Sequence, residues 1–296
     1  MLAGGTGGAK LAAGFDAILP AGDLTVIANT GDDDEFWGLL VCPDVDAVIY
    51  RLAGVFNDEV GYGQKGETFG VLEALGRLGE ATWFRIGDKD LATHVVRTEM
   101  LRRGATLSET SLELCRRFGL SARVLPMSDQ TVRTVCVTSA GAFSLQEYFV
   151  RERLSPPLTR IEFEGLDEAR PSPESLDALG EAELVVIGPS NPLISIDPIL
   201  RVLGDRLTRE RTVAVTPIVG GVALKGPTVQ MMRAMGLEAS PVEVARRYRD
   251  VCSRFVLDLQ DRELAPAIEA MGFRVKVAKT VMDDGGRKLA AALVDS

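Results

Sequence analysis

Short apolar runs alternate with longer amphipathic stretches along most of the chain. The runs predict buried strands, and the stretches that follow them repeat apolar residues with helical spacing. The predicted strands lie at 24–28, 184–187, 213–217, 255–259 and 274–278. This alternation is typical of a mainly parallel sheet with helices on both faces, so we predict the α/β class.

The alternation is interrupted over residues 44–120, where four consecutive stretches have helical periodicity. We interpret this region as a helical insertion over one end of the sheet, within a single domain that spans residues 1–296. After it, alternating residues on both sides of SAG at 139–141 predict a hairpin. The proline-bearing stretch 155–173 is interpreted as an exposed connection.

Composition and charge narrow the possible partners. The 296 residues are 46% hydrophobic and 25% charged, which is enough apolar material for a substantial core. The net charge is −9 and no basic block is present, so we predict no nucleic-acid partner. No apolar run approaches the roughly 20 residues that span a bilayer, and no signal-peptide pattern is present. We therefore expect a cytoplasmic protein without a membrane partner.

Cysteine and histidine usage excludes two classes of site. The four cysteines are far apart and form no CxxC pair, so they predict free thiols and not a zinc site. The single histidine, His94, excludes a multi-histidine metal site. We interpret His94 as a hydrogen-bonded helix residue.

Polar loops follow several of the predicted strands. Ligands of open parallel sheets bind beyond the carboxyl ends of the strands. We therefore expect these loops to line one crevice: GGTGGAK at 4–10, NTGDDDE at 29–35, MSDQTVR at 127–133, GPSNPLIS at 188–195 and TPIVGG at 216–221.

The glycine-rich stretch at 4–10 is typical of an anion-binding turn. Glycines let backbone amides approach a phosphate closely, and the helix that follows adds partial positive charge at its N-terminus. The stretch matches neither the dinucleotide fingerprint nor the Walker pattern. A tight strand-to-helix turn without a ligand is therefore the alternative.

The acidic and the proline-containing loops suggest further ligands. The stretch 29–35 places four acids in one loop, and carboxylate oxygens suit a divalent cation such as Mg²⁺. We choose Asp32 and Asp33 as the metal ligands, with a solvated acidic turn as the alternative. Two prolines at 188–195 rigidify a turn that carries Ser190 and Asn191, which suits a clamp for a base or a phosphate. The alternative for that loop is a rigid connection.

Two further candidates lie in the predicted insertion. Asp46 follows Pro43 near the start of a helix, where an acid interacts favourably with the helix dipole. From spacing alone we interpret Asp46 as structural. Arg85, in RIGDKDLATH, is better placed than His94 to contact a ligand.

Nine motifs in order give the sequence a family resemblance. They are GGTGGAK, NTGDDDE, CPDVDAVIY, GETFG, RIGDKDLATHVVR, LPMSDQTVRT, GPSNPLISIDPIL, TPIVGGVALKGPT and MGLEAS. Together they resemble the 2-phospho-L-lactate transferase family of coenzyme F-420 biosynthesis. The resemblance implies a Rossmann-like three-layer αβα fold, a Mg²⁺ requirement and a homodimer.

The resemblance also implies a reaction. A guanosine-diphosphate-linked hydroxyacid, such as lactyl-2-diphospho-5'-guanosine, gives its phosphoryl-linked acid to the ribityl hydroxyl of the deazaflavin Fo, and GMP leaves. Some bacterial members of the family are associated with the enolpyruvyl counterpart. The sequence leaves the choice between a phospholactyl and a phosphoenolpyruvyl group open.

Site residues follow from the same resemblance. The family's Fo contacts map onto Asp46 and Arg85, which replaces the structural interpretation of Asp46. We expect Asp46 to hold or deprotonate the ribityl hydroxyl, and Asp32 or Asp33 to hold Mg²⁺. The expected guanosine diphosphate site comprises Gly4, Gly5, Thr6, Gly7, Gly8, Ser190 and Asn191.

A second function stays open. The related gluconeogenesis-factor group also begins with a glycine-rich stretch, but its members bind a nucleotide sugar and act as regulators without transferase activity. The strings GDKDLATH and GPSNPLIS argue against that group. Binding of Fo distinguishes the two functions.

Overall fold

The computed structural model describes residues 1–223 and 226–294. Its strands, in chain order, are β1 (Leu2–Ala3), β2 (Thr25–Ala28), β3 (Asp34–Phe36), β4 (Leu39–Val41), β5 (Arg123–Pro126), β6 (Arg133–Thr138), β7 (Gly141–Ser144), β8 (Leu158–Glu164), β9 (Val185–Ile187), β10 (Thr212–Val215), β11 (Ile218–Val219), β12 (Val222–Ala223), β13 (Arg254–Asp258) and β14 (Arg274–Ala278). The α-helices are α1 (Thr6–Asp16), α2 (Pro43–Leu52), α3 (Gly70–Arg77), α4 (Asp88–Arg102), α5 (Leu107–Arg117), α6 (Pro173–Glu181), α7 (Asp197–Leu203), α8 (Thr228–Ala234), α9 (Pro241–Tyr248), α10 (Ala265–Glu269) and α11 (Arg287–Val294).

Seven parallel strands form the central sheet in the order β14-β13-β10-β9-β1-β2-β5. Neighbouring residues of one strand belong to different cores, because side chains alternate across a sheet. Leu2 packs with α7 to α10, whereas Ala3 packs with α1, α2, α5 and α11. The predicted α/β class and three-layer αβα arrangement are confirmed. Among the described helices, none is long and apolar enough to cross a membrane.

The sheet order places two predicted binding loops side by side. The chain runs from β1 outward to β5 and then returns to β9, which pairs with β1 on its other side. Leu2 is paired with Ile27 in β2 and with Ile187 in β9. The loops after β1 and β9 therefore diverge at the switch point of the sheet, where such folds bind ligands.

The region between 120 and 173 confirms one prediction and corrects another. Strands β6 and β7 form the predicted hairpin around SAG. The stretch 155–173 is not simply a connection, because β8 lies within it and pairs antiparallel with β6. The residues of β8 alternate between more and less buried positions, as an edge strand does, but the prolines just before it suggest a loop.

The four helices predicted within 44–120 are confirmed as α2 to α5. Helices α3 and α4 cap each other: Asp88 accepts N–H bonds from the first turn of α3, and Glu67 accepts N–H bonds from the first turn of α4. A Cβ at Gly87 would lie 2.2 Å from Glu67 Cδ, so a larger residue here would displace the carboxylate that caps α4. The motifs GETFG and RIGD thus hold each other, and they fix the backbone that follows Arg85.

Candidate functional site

A cavity of about 570 Å³ opens at the carboxyl ends of the central strands. Four of the five predicted loops contribute to its lining, and the residues of those loops are Gly5, Thr6, Gly7, Asp32, Pro189, Ser190, Asn191, Ile194, Ser195 and Pro217. The rest of the wall includes helix α2, two residues of α4 and the segments around 60–63, 83–85, 145–150 and 226–228. The loops after separate strands therefore form one crevice, together with the helical region that follows β4.

The loop MSDQTVR is the exception, because none of its residues lines the cavity. Asp129 accepts a 2.7 Å hydrogen bond from the backbone N–H of Ser108 at the start of α5. Gln130 accepts from the backbone N–H of Arg170 at 2.9 Å. The polar residues of this loop therefore support the neighbouring elements, and the expectation that they line the crevice is wrong.

The glycines at the start of α1 have two different surroundings. Gly5, Thr6 and Gly7 line the cavity, and Thr6 and Gly7 belong to the first helical turn, whose amides lack partners within the helix. Gly4 and Gly8 do not line it. A Cβ on Gly4 would lie 2.4 Å from Ser195 Oγ, and one on Gly8 would lie 2.7 Å from Ala3 Cβ. These two glycines therefore allow close packing.

Ser190 and Asn191 line the cavity, but both also hold the loop together. Ser190 Oγ accepts a 2.9 Å hydrogen bond from the N–H of Gly4, which joins the two diverging loops. Asn191 Oδ1 accepts from the N–H of Leu193 at 2.9 Å, at the start of a π-helical turn, Pro192–Ile196. The wide turn brings Ser195 to the cavity wall.

Two buried carboxylates stand together in front of the glycine turn. The amide Nδ2 of Asn29 donates to Asp32 Oδ1 at 2.9 Å and to Asp44 Oδ2 at 3.0 Å. Asp44 also accepts a hydrogen bond from the N–H of Gly5. Burial raises the pKa of Asp44 to about 6, and burial together with the Asp44 charge raises the pKa of Asp32 well above its usual range. This carboxylate pair has the oxygen donors that a hard divalent cation prefers.

Asp33 has a different position from the one expected for a second ligand. It is buried and does not line the cavity, and its carboxyl group is hydrogen bonded with the thiol of Cys42. Burial raises the pKa of Asp33 well above its usual range. The structure thus brings Asp32 together with Asp44, one residue after Pro43, and not with Asp33.

Asp46 lines the cavity and forms a bidentate ion pair with Arg97 of α4. Nη1 of Arg97 lies 3.1 Å from Asp46 Oδ2, and Nη2 contacts Asp46 Oδ1. Arg97 is fully buried, and Asp46 is 3% exposed. His94 and Asp90, on the same face of α4 as Arg97, also line the cavity. Asp46 therefore has two roles. It lies in the first turn of α2, where an acid interacts favourably with the helix dipole, and it lines the cavity as the partner of a buried arginine.

Aromatic side chains surround this end of the cavity. Phe36, on the β3–β4 hairpin, stacks on Phe84 with ring centroids 4.0 Å apart, and Trp83 meets Phe36 edge-on at 5.5 Å. Arg85 lines the cavity, and its guanidinium lies over the ring of Phe69 at 4.5 Å. Arg85 and Asp46 are thus residues of the same cavity, as the resemblance requires of two contacts to one molecule.

The lining is strongly acidic. Within the described part of the chain, four carboxylates line the cavity, namely Asp32, Asp44, Asp46 and Asp90, and the guanidinium of Arg85 is the single arginine or lysine group among the lining residues. An anionic ligand such as a pyrophosphate would be repelled by this arrangement unless a cation bound with it. Sequence reasoning missed Asp44, Asn29 and Arg97; for Asp44 a signal existed, because it lies in the same PDVD motif as Asp46.

Comparison with known proteins now identifies the family. The family model described as 2-phospho-L-lactate transferase CofD matches residues 1–287. The chain belongs to this family. It is 37% identical over 284 residues to a 2-phospho-L-lactate transferase of Methanosarcina mazei, covering 95% of this chain and 94% of that protein. It is also 40% identical over 294 residues to a phosphoenolpyruvate transferase of Streptomyces griseus, covering 96% and 92%.

Family membership supports a transferase of coenzyme F-420 biosynthesis. A crystal structure of a UPF0052 family member from Bacillus halodurans has the same fold, with a TM-score of 0.61, 16% sequence identity, and coverage of 99% of this chain and 97% of that one. At that identity the likeness concerns the fold alone.

Proposed function

We propose that this protein transfers a phospholactyl or phosphoenolpyruvyl group from a guanosine-diphosphate-linked donor to the ribityl hydroxyl of Fo and releases GMP. The observation that carries the proposal is that one cavity joins the glycine turn, the Asp32–Asp44 pair and the aromatic end with Asp46 and Arg85. The hydroxyl oxygen forms a bond to the phosphorus that carries the acid, and the bond from that phosphorus to the GMP oxygen breaks.

The carboxylate pair is the proposed Mg²⁺ site. Asp32 and Asp44 are held side by side by Asn29; burial raises the pKa of both, and the charge of Asp44 adds to the rise for Asp32. When bound there, Mg²⁺ neutralises the charge of pyrophosphate oxygens. The first-turn amides of α1, at Thr6 and Gly7, supply further hydrogen-bond donors for the same group.

We propose Asp46 as the catalytic residue that accepts the hydrogen bond of the ribityl hydroxyl. The ion pair with Arg97 holds the carboxylate of Asp46 in a fixed position at the cavity wall, where its oxygens can accept the hydrogen bond of the hydroxyl. Phosphoryl transfers through loose transition states need little help from a base, because the hydroxyl proton leaves late. Asp46 then contributes mainly by orienting the hydroxyl oxygen toward phosphorus and takes up the proton as the new bond forms.

The aromatic end suits a planar acceptor. Trp83, Phe84 and Phe149 line the cavity beside Arg85, so a flat heterocycle finds apolar faces and one hydrogen-bonding cation there. One of the relatives is named for transfer of phospholactate and the other for transfer of phosphoenolpyruvate, so both donors should be assayed side by side. We further propose a homodimer, as the family resemblance implies, and a cytoplasmic location, as expected from the sequence pattern.

Binding of Fo tests the acceptor half of the proposal. The protein has two tryptophans, and both belong to the aromatic cluster: Trp37 lies 6.3 Å from Phe36 and Trp83 lies 5.5 Å from it. We expect Fo to quench the tryptophan emission in a saturable way, because the deazaflavin absorbs light beside both indoles. Arg85→Ala is expected to weaken binding about 10-fold through loss of one charge-assisted contact.

The matched control for this titration is Arg77→Ala, which changes an exposed arginine of α3 outside the cavity. It is expected to leave the dissociation constant of Fo unchanged. A regulator that binds a nucleotide sugar would show quenching by the sugar nucleotide and none by Fo. That outcome would replace the transferase proposal with the alternative function.

A further inference from the structure

A chain of five polar side chains connects α2 and α4 behind the acceptor end of the cavity. The hydroxyl of Tyr50 donates to Asp90 Oδ1 at 2.7 Å, and His94 Nε2 lies 3.3 Å from the same oxygen. His94 Nδ1 lies 3.1 Å from Arg97 Nη1, and both Nη groups of Arg97 contact the carboxylate of Asp46. Asp46 and Tyr50 lie one turn apart on α2, so the five side chains form one compact cluster between α2 and α4.

The donors and acceptors of this cluster determine which ring nitrogen of His94 carries the proton. A guanidinium only donates hydrogen bonds, so the contact with Arg97 is favourable only when Nδ1 of His94 carries no proton and accepts. The ring proton then lies on Nε2, which faces the carboxylate of Asp90. His94 is 1% exposed, and Arg97 is fully buried. The imidazole therefore links two groups that have little access to water.

A metal ion is a less suitable explanation for this cluster. Ligand atoms of Asp46, Asp90 and His94 all lie within 4.8 Å of one another. However, Nη1 of Arg97 lies 3.1 Å from both Asp46 Oδ2 and His94 Nδ1. The guanidinium therefore already supplies the positive charge between these two ligands.

We propose that His94 is a positioning residue that acts on Asp46 through Arg97. Its Nδ1 fixes the rotation of the guanidinium, so that both Nη groups stay directed at the Asp46 carboxylate, while Asp90 lies beside Nε2 on the other side of the imidazole. The inference rests on the proposed role of Asp46 as the residue that orients the acceptor hydroxyl. It adds a residue that no motif reasoning singled out for the reaction.

The partners of Arg97 explain why the imidazole matters. Besides Asp46, Nη1 contacts Leu40 O at 3.3 Å and His94 Nδ1 at 3.1 Å. Nη1 has two N–H groups and three acceptors around it, so the imidazole shares one of them. Without the imidazole, the guanidinium would be oriented by Leu40 O and Asp46 alone and would shift toward Leu40 O. Asp46 would follow the guanidinium. A displacement of about 1 Å at a reacting group lowers a rate about 100-fold.

Two variants separate positioning from simple support of the fold. In His94→Asn the side-chain oxygen replaces Nδ1 and can still accept from Arg97. In His94→Gln the amide reaches the Nε2 position and can still contact Asp90, but no acceptor faces Arg97. We expect His94→Gln to lower kcat about 30-fold, with the KM for the nucleotide-linked donor unchanged, and His94→Asn to stay within about 3-fold of the parent.

Thermal unfolding of both variants tests whether His94 has only a structural role. If His94 only supports the helix pair, activity follows the melting temperature and the two variants do not differ in the order given above. Equal kcat values in two folded variants, or a higher kcat in His94→Gln, would overturn the proposal. If the parent protein itself has no transfer activity, the proposed function fails, and with it the role of Asp46 toward the hydroxyl; the contact of His94 with Arg97 is then tested separately by the tautomer of His94.

The wild-type protein offers a second test that does not depend on variants. His94 is the single histidine, so its ring nitrogens give one unambiguous set of NMR signals. We expect long-range ¹⁵N–¹H spectra at pH 7.5 to show the Nε2–H tautomer, with Nδ1 unprotonated. The Nδ1–H tautomer would contradict the acceptor role toward Arg97, whatever the protein's substrate.

Discussion

Replacing Asp44 with asparagine is expected to abolish the stabilisation that Mg²⁺ gives the protein and to lower the transfer rate about 1000-fold. The carboxylates of Asp44 and Asp32 share one amide donor, Asn29, and both line the cavity in front of the glycine turn. Loss of one anionic ligand weakens the proposed cation site, and the pyrophosphate then meets the remaining carboxylates without enough compensating charge. Losing one such electrostatic contact in an active site lowers rates by about this amount.

Thermal unfolding with and without Mg²⁺ measures the first half of this prediction. Burial raises the pKa of Asp44 to about 6, so protons compete with the cation as the pH falls through that value. The increase in melting temperature caused by Mg²⁺ should therefore be larger at pH 7.5 than at pH 5.5. In the metal-free protein the same raised pKa lowers the free energy of unfolding as the pH rises from about 4 to about 6, because the folded state then binds more protons than the unfolded state.

Asp34→Asn is the matched control for the metal site. Asp34 belongs to the same acidic loop, but its carboxylate does not line the cavity and accepts a bond from the N–H of Glu35. We expect this variant to keep the Mg²⁺ response and the transfer rate. An Asp44→Asn variant that still gains stability from Mg²⁺ as the parent does would contradict the assignment of Asp44.

The second large effect is expected for Asp46→Asn, which should lower both stability and turnover. Arg97 is fully buried, and this substitution leaves its charge without a counter-ion. Breaking one side of a buried ion pair lowers the free energy of unfolding by about 3 kcal/mol. Turnover should fall about 100-fold, because the amide has a single acceptor oxygen, for which Arg97 competes, and because it cannot take up the proton of the hydroxyl. GMP release with Fo as acceptor and urea unfolding measure the two effects.

A double variant separates these two effects. In Asp46→Asn combined with Arg97→Met, no buried charge is left unpaired, so much of the lost stability should return. The turnover should stay low, because Asp46 is still absent. If the double variant regains both stability and activity, Asp46 supports the fold and is not the acceptor of the hydroxyl.

Five of the seven strands of the central sheet could be predicted, and four of these five are buried along nearly their whole length; β1 and β5 were not among the predicted strands. Runs such as LVVI at 184–187 are apolar throughout, and this is a strong signal in a parallel sheet. Strand β8 could not be predicted in the same way. It pairs with β6 on one edge only, half of its side chains face solvent, and two prolines precede it.

The parts of the candidate site that follow directly after a strand could be predicted from the sequence. The glycine turn, Asp32 and Ser190 lie directly after strands, so the strand-end rule places them in one crevice. The ion pair of Asp46 and Arg97 joins positions that are 51 residues apart, and the packing of α2 on α4 decides it. Likewise Asn29 bonds to Asp44, 15 positions further along the chain, and so pairs it with Asp32, whereas adjacency in sequence favoured Asp33.

Direct detection of the product tests the central claim of acid transfer to Fo. Purified protein is mixed with Mg²⁺, Fo and either lactyl-2-diphospho-5'-guanosine or its enolpyruvyl counterpart, and the products are identified by mass spectrometry. We predict a Fo ester that carries the donor's phosphorylated acid, with one GMP released for each ester formed and with one donor strongly preferred. Folded protein that binds Fo but forms no such ester with either donor, or that releases GMP equally fast without Fo, would contradict the account.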